Sequence, residues 1–355
     1  MRIKEKEYSF RAAHILLLSF LSSIVLGSFA AFAMASTVAN SDSVRCAYTP
    51  YLSCTDSQTG GTLWHNSLYS DPDSFVVRQS QLYVSHSTHS SSYDLRTGKQ
   101  IWQVSSDSDA HYFYPVISGE NAFLARTDGI LEKRQADSGK LIWFRTLANG
   151  WVYPPLIQQN KIISGGQNRI IWVLDDETGQ TLDSFTLQQE LVAPLFQINN
   201  GFVASTFDGR LSAYRLNQKT GKAEPGWQAR LEGPAFSYLS DSRYLVTADM
   251  SGKLSSFDPE SGRLRWQKPV HRNALFWSVL YQQSLISLTE SGSLMILDTE
   301  SGQLQKQMQF DHHYIQPPII QGDQVALYDI TGAVEHLNSE SLSLNSRQKH
   351  PAPST

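Results

Sequence analysis

The side chains best suited to chemistry in this chain are histidines and aromatics in short clusters: His111-Tyr112-Phe113-Tyr114, Trp151-Val152-Tyr153, His271-Arg272 with Phe276-Trp277, and His312-His313-Tyr314. His86 and His89 add a further pair. Neutral imidazoles ligate metals, and Tyr, Trp and Arg supply binding energy with little lost rotamer freedom. Three readings follow. The aromatics pack strand ends while the histidines sit in solvated loops, or the set forms a recognition surface, or the histidines hold a metal. No spacing selects the third, because a His-Glu-x-x-His pattern is missing. A Gly-x-Ser-x-Gly elbow and a phosphate-binding loop are missing as well. The two cysteines, Cys46 and Cys54, flank Tyr48-Thr49-Pro50-Tyr51. A structural zinc site needs four ligands, so an exported chain is expected to join them in a disulfide worth roughly 2 kcal/mol.

The elements that position these residues repeat. Variants of Asp94-Leu-Arg-Thr-Gly98-Lys-Gln-Ile-Trp102 return about every 40 residues, with glycines at 60, 98, 139, 179, 221, 262 and 302 each after Thr or Ser. Trp64, Trp102, Trp143 and Trp266 lie four residues past theirs, and Trp227 lies six past Gly221. Asp183 and Lys306 stand where two further tryptophans would be. Within each period, short runs rich in Val, Ile, Leu, Phe and Tyr are broken by Asn-Gly, Asp-Gly, Ser-Gly or Thr-Gly, the chemistry of tight antiparallel hairpins. Four short antiparallel strands per period predict an all-β propeller whose tryptophans fill the wedges between blades. The count gives seven blades, closed by pairing the N- and C-terminal strands, with eight blades as the alternative. The chain divides into a signal peptide (1–35), a lead-in with the disulfide (36–55), the propeller (56–340) and a tail (341–355).

The signature Asp-x-x-Thr/Ser-Gly-x-x-x-Trp, clearest at Asp94 to Trp102 and Asp258 to Trp266, resembles the quinoprotein-type or PQQ-like repeat. That resemblance implies a propeller over nearly all of residues 56 to 340. It does not by itself imply a function, since the repeat occurs in dehydrogenases, scaffolds and sensors. The quinoprotein dehydrogenases carry adjacent cysteines beside their cofactor, and this chain has no Cys-Cys pair. Ala193-Pro194 followed by Phe207-Asp-Gly-Arg-Leu-Ser-Ala213 is similar to the BamB-type propeller subunit of outer-membrane protein assembly. Three features differ from that type, the first being an array one blade shorter. No Cys directly follows the leader to carry a lipid, and Leu187-Gln-Gln-Glu-Leu-Val192 lacks the arginine that the family uses toward its barrel partner.

Arg2, Lys4, Lys6 and Arg11 precede the apolar run Ile15 to Phe32 and the small-x-small site Ala33-Met-Ala35, the pattern of a cleaved signal peptide. Without that leader the chain holds 25 Lys plus Arg against 31 Asp plus Glu, a balance unsuited to nucleic acid. The expectation is therefore an exported, non-catalytic scaffold without cofactor, binding a protein or peptide partner in the envelope. The expected contact residues are His111, Tyr112, Tyr114, Trp151, Tyr153, His271, Arg272, Trp277, His312 and Tyr314. A quinone- or metal-dependent oxidoreductase and a carbohydrate or small-ligand module are the alternatives.

Overall fold

The computed structural model describes residues 44–348 apart from 49–51, 57–58, 60, 69–73, 241–242, 270–276, 290, 315–317, 322–323, 330–333 and 339–343. The leader therefore lies outside the described residues, as do His271 and Arg272. Eight antiparallel sheets follow one another along the chain. Blade 1 comprises Val44–Tyr48, Leu52–Asp56 and Thr62–Asn66. The other blades run from Ser74 to Ser105, Val116 to Thr146, Leu156 to Thr186, Phe196 to Arg230, Ala235 to Pro269, Trp277 to Gln309 and Ile319 to Gln348, numbered 2 to 8. Those seven have four strands each, in chain order across the sheet, and blade 1 has three.

The seven four-stranded blades match the expected number, and the three-stranded sheet is the eighth unit of the alternative count. The expected pairing between chain ends is corrected. Thr62–Asn66 pairs with Leu52–Asp56, and the last strand, Leu344–Gln348, pairs with Val334–Asn338 of its own blade. The cause is local: Asp56 accepts the Thr59 N–H at 2.9 Å and its own N–H meets the Gly61 carbonyl at 2.9 Å, which folds the Trp64 strand back on its predecessor. Strands also occupy part of the expected lead-in, from Val44, and part of the expected tail, to Gln348.

One turn recurs at the periphery. In blade 2, Asp94 Oδ1 accepts both the N–H (2.8 Å) and the hydroxyl (2.7 Å) of Thr97, and the Gly98 N–H closes on the Asp94 carbonyl. Asp175 with Thr178, Asp258 with Ser261 and Asp298 with Ser301 repeat it, and Asn217 with Thr220 shows that an amide oxygen serves as well. Gly98 has φ +68°, and a Cβ there would stand 2.5 Å from the Trp64 ring, so this position requires glycine. Each indole then donates to the same carbonyl of the next blade: Trp64 to Leu95 (2.8 Å), Trp102 to Ala136 (2.8 Å), Trp143 to Asp176 (3.0 Å), Trp227 to Pro259 (2.9 Å) and Trp266 to Thr299 (2.9 Å). The indole thus fills the wedge and satisfies a carbonyl with one side chain.

Where Asp183 replaces the indole, the joint is rebuilt from two residues. Leu182 covers Gly221, and the Asp183 carboxylate accepts the Ala223 N–H at 2.9 Å. The core follows this joint-by-joint logic, with Trp143, Ile163, Val173, Phe202 and Leu216 in one cluster spanning blades 3 to 5 and Ile286, Ile296, Val325 and Leu337 in another spanning blades 7 and 8. Burial passes from neighbour to neighbour, as a repeat architecture requires.

Candidate functional site: the loop face

The connections between blades and the turns between second and third strands share one face of the ring. The main chain ties them together. Thr127, Gln167, Phe207 and Met250, each in such a turn, donate their N–H to the carbonyls of His111 (3.0 Å), Trp151 (3.1 Å), Glu190 (3.1 Å) and Pro234 (3.1 Å). The next residue of each connection pairs antiparallel with the strand end, Tyr112 with Arg126, Val152 with Gly166, Leu191 with Thr206 and Ala235 with Asp249, and Tyr314 pairs with Asp329 in the same way in blade 8. Extended backbone alternates its side chains, so each connection sends one side chain to the rim and the following one inward.

That alternation divides the expected contact residues. His111, Tyr114, Trp151 and His312 are partly exposed. Tyr112 and Tyr314 are only 2% and 1% exposed, and Tyr153 is buried as well. Their hydroxyls explain why. Tyr112 donates toward Glu132 at 3.4 Å and Tyr314 donates to Glu335, both pairs enclosed in the fold. Burial, with Glu132 second, pushes the Tyr112 phenol up to about 12. Burial also pushes Tyr153 up, with Glu190 adding to it. These three are packing and positioning residues of the rim rather than its surface. The side chain of Trp277 lies outside the described residues, although its backbone opens blade 7.

The register also supplies members that residue type did not reveal. Glu190, Pro234 and His313 occupy the place of His111 and Trp151 in blades 5, 6 and 8. His313 is exposed, and Glu190 and Pro234 are partly so. The signal that could have found them is position: each stands immediately before the inward residue of its connection. Trp151 leans edge-on against Phe113, ring centroids 6.0 Å apart, and Phe113 contacts Tyr153 at 5.8 Å, so the aromatic part of the rim is braced across blades 3 and 4.

Below the rim, blade 3 holds a buried ionic cluster. Arg126 donates to Glu132 Oε1 (3.0 Å) and to Asp128 Oδ1 (3.0 Å), and Arg134 donates to Glu132 Oε2 (2.6 Å). Tyr114 is pushed up to about 12 by burial, and burial with Tyr114 as the second cause raises Tyr238 well above the ordinary phenol. The Tyr238 hydroxyl also donates to the Leu195 carbonyl at 3.1 Å. His86 and His89 stack with centroids 5.4 Å apart and planes 7° from parallel. Burial, and then His89, push His86 down to about 4.

Among the described residues, no three His, Cys, Asp or Glu side chains stand close enough to hold a metal ion, so the histidine-metal reading finds no ligand set there. Two crevices, of about 360 and 340 Å³, open between blades 1 and 2 and between blades 5 and 6. Their walls include Asn66, Gln100 and Gln103 in one and Arg215 and Glu260 in the other, and His111, Trp151 and His313 line neither.

The fold and its indole joints define a PQQ-like propeller. Residues 91–341 match the family described as outer membrane protein assembly factor BamB, and the chain belongs to that family. The assembly factor BamB of Vibrio cholerae serotype O1 is 30% identical over 196 residues, 49% of this chain and 48% of its own. That of Yersinia pestis is 22% identical over 238 residues, 58% of this chain and 59% of its own. The chain thus matches about half the length of these curated relatives. Among solved structures, BamB from Moraxella catarrhalis superposes with a TM-score of 0.69 at 16% identity, covering 85% of this chain and 94% of that one. The computationally designed protein Ika8 superposes with a TM-score of 0.70 at 16% identity, covering 84% and 94%. At such identity these two speak for the fold alone.

Proposed function

We propose that this chain is a non-catalytic scaffold in outer-membrane protein assembly and that it takes a protein or peptide partner on its loop face. The observation that carries the reading is the series of equivalent rim positions: His111, Trp151, Glu190 and Pro234 are held by one repeated main-chain contact, and His313 stands at the same place before the Tyr314 bridge. A rigid backbone that presents two imidazoles, an indole, a carboxylate and a proline ring is a surface for polypeptide recognition, where anchors with few rotors give most of the binding energy. Tyr114 and His312 belong to the same contact set, together with His271, Arg272 and Trp277 by sequence position. Tyr112, Tyr153 and Tyr314 support it from beneath. The leader ending at Ala35 delivers the chain to the envelope, where such a partner resides. The family description, an outer membrane protein assembly factor, points to the assembly machinery as the source of the partner.

The test is binding of the purified chain to detergent-solubilised outer-membrane assembly machinery. His111→Ala combined with His313→Ala is expected to weaken binding at least tenfold while Tm stays within about 2 °C, since both side chains are partly or fully exposed. Unchanged affinity would remove the loop face from the contact. A large fall in Tm would make these residues packing elements instead.

A further inference from the structure

Blades 2, 3 and 6 carry a row of three directly opposed residues that ends on the indole: Tyr83, Ser92 and Trp102; Phe123, Lys133 and Trp143; Val246, Ser256 and Trp266. In blades 2 and 3 the first member abuts the indole, with ring centroids 6.1 and 6.4 Å apart. In blade 1 the same row reads Cys46, Cys54 and Trp64, and the first two are joined as a disulfide. The cross-link therefore occupies the place that a packed side chain fills elsewhere. It does so in the sheet with the fewest strands among the described residues.

Both sulfurs belong to the cluster by which blade 1 meets blade 2, alongside Val44, Leu52 and Trp64 from one side and Phe75, Val77, Leu82 and Val84 from the other. Two polar contacts complete the joint, the Trp64 indole on the Leu95 carbonyl and the Asn66 amide on the Gly98 carbonyl at 2.8 Å. Without the bond, the row would consist of two small buried thiols that pack weakly against the indole. The two strands would then depend on their ladder and on the contacts of Val44 and Leu52 with blade 2.

We propose that the Cys46–Cys54 bond is a redox-dependent closure that seats the Trp64 row on blade 2, so that the ring joins at this edge only after oxidation. The oxidant is a disulfide of the thiol–disulfide oxidoreductase class. One cysteine thiolate attacks a sulfur of that disulfide, which forms a mixed disulfide and releases one oxidant thiolate. The second cysteine thiolate then attacks its neighbour's sulfur, the Cys46–Cys54 bond forms, and the second oxidant thiolate leaves. Two electrons pass to the oxidant, and the two cysteine protons pass to its thiolates or to solvent. Cys46 and Cys54 are 5% and 0% exposed, so the exchange takes place before blade 1 seats, and the seated bond is shielded from reductant.

Hydrogen–deuterium exchange read by mass spectrometry on the whole chain tests this. Oxidised protein is compared with protein refolded in excess dithiothreitol and with the double variant Cys46→Ser/Cys54→Ser. The expected result is exchange faster by about tenfold or more, following the loop-closure argument, at Leu52–Asp56, Thr62–Asn66 and Ser74–Arg78, with Leu141–Thr146 and Thr181–Thr186 unchanged. Equal protection in all three samples would overturn the proposal. So would a loss spread evenly over every blade, or a failure of the reduced chain to fold, since either makes the bond a general stabiliser rather than the closure of one edge. Retained binding to the assembly machinery in the oxidised form alone would leave the function reading intact whichever way this result falls.

Discussion

Two groups of ionisable residues give the fold separate acid responses. Asp94, Asp175, Asp258 and Asp298 lie below the ordinary carboxylate, held there chiefly by the hydroxyl and N–H of the Thr or Ser three residues on. A carboxyl depressed in the fold contributes stability above the unfolded value of about 3.9, and that contribution is lost as pH falls through the folded value. His86 behaves differently. Its folded value is about 4, against an ordinary imidazole value of 6.5. The neutral ring is the folded form, so stability declines as pH falls from about 6.5 to 4 and then levels. Thermal melts from pH 7 to 3 are expected to show two descents, and His86→Gln to remove the first. Asp94→Asn should keep its turn at neutral pH, as Asn217 does naturally, and soften the second. A single descent shared by all variants would contradict both assignments. Removing a hydroxyl tests the buried tyrosines: Tyr112→Phe is expected to cost no more than about 1 kcal/mol in urea unfolding, because Arg126 and Arg134 still donate to Glu132, without altering partner affinity.

Among the strands and turns, the joint between blades is the unit of stability. Trp102→Ala opens a cavity over Gly139 and leaves the Ala136 carbonyl to the Tyr83 hydroxyl alone at 3.3 Å, and a cost of about 3–5 kcal/mol is expected, chiefly from the cavity. Asp183→Ala removes two hydrogen bonds, from the Ala223 and Ser184 N–H groups, but opens no ring-sized cavity, so a smaller cost of about 1–2 kcal/mol should follow. Comparable losses from the two would mean that the indole is not the principal joint. The outer strand of blade 3 exposes Leu141, Ile142 and Phe144, an apolar edge of the kind that invites pairing between chains. Arg145 blunts it by donating to the Phe144, Thr178 and Gly179 carbonyls at 2.8 Å each. The repeat was legible because the Asp-x-x-Thr-Gly turn, the glycine and the indole are chemically coupled: the turn needs positive φ, and the bare glycine needs a flat ring above it. The seven four-stranded blades were legible for that reason, whereas the three-stranded sheet left seven and eight both open, because Val44–Tyr48 and Leu52–Asp56 pair through cysteines and a short ladder rather than through the repeated motif.

Across the ring, the face was legible and its composition was not. The clusters at His111, Trp151 and His312 identified the connections that reach the rim, yet residue type could not say which member of Tyr112-Phe113-Tyr114 or Trp151-Val152-Tyr153 points outward. That depends on the bridges to Arg126 and Gly166, which set the alternation. Glu190 and Pro234 escaped notice because neither is aromatic or a histidine, although the same contact places them. The scaffold role rests on recognition through this rim, and photo-crosslinking in envelope preparations probes that contact residue by residue. The photoreactive p-benzoylphenylalanine would stand at position 111, 151 or 313 and, as control, at 307 on the circumference. Covalent adducts with a subunit of the outer-membrane assembly machinery are expected from the three rim positions and not from 307. Adducts from 307 alone, or rim adducts that contain no assembly subunit, would refute recognition by the rim.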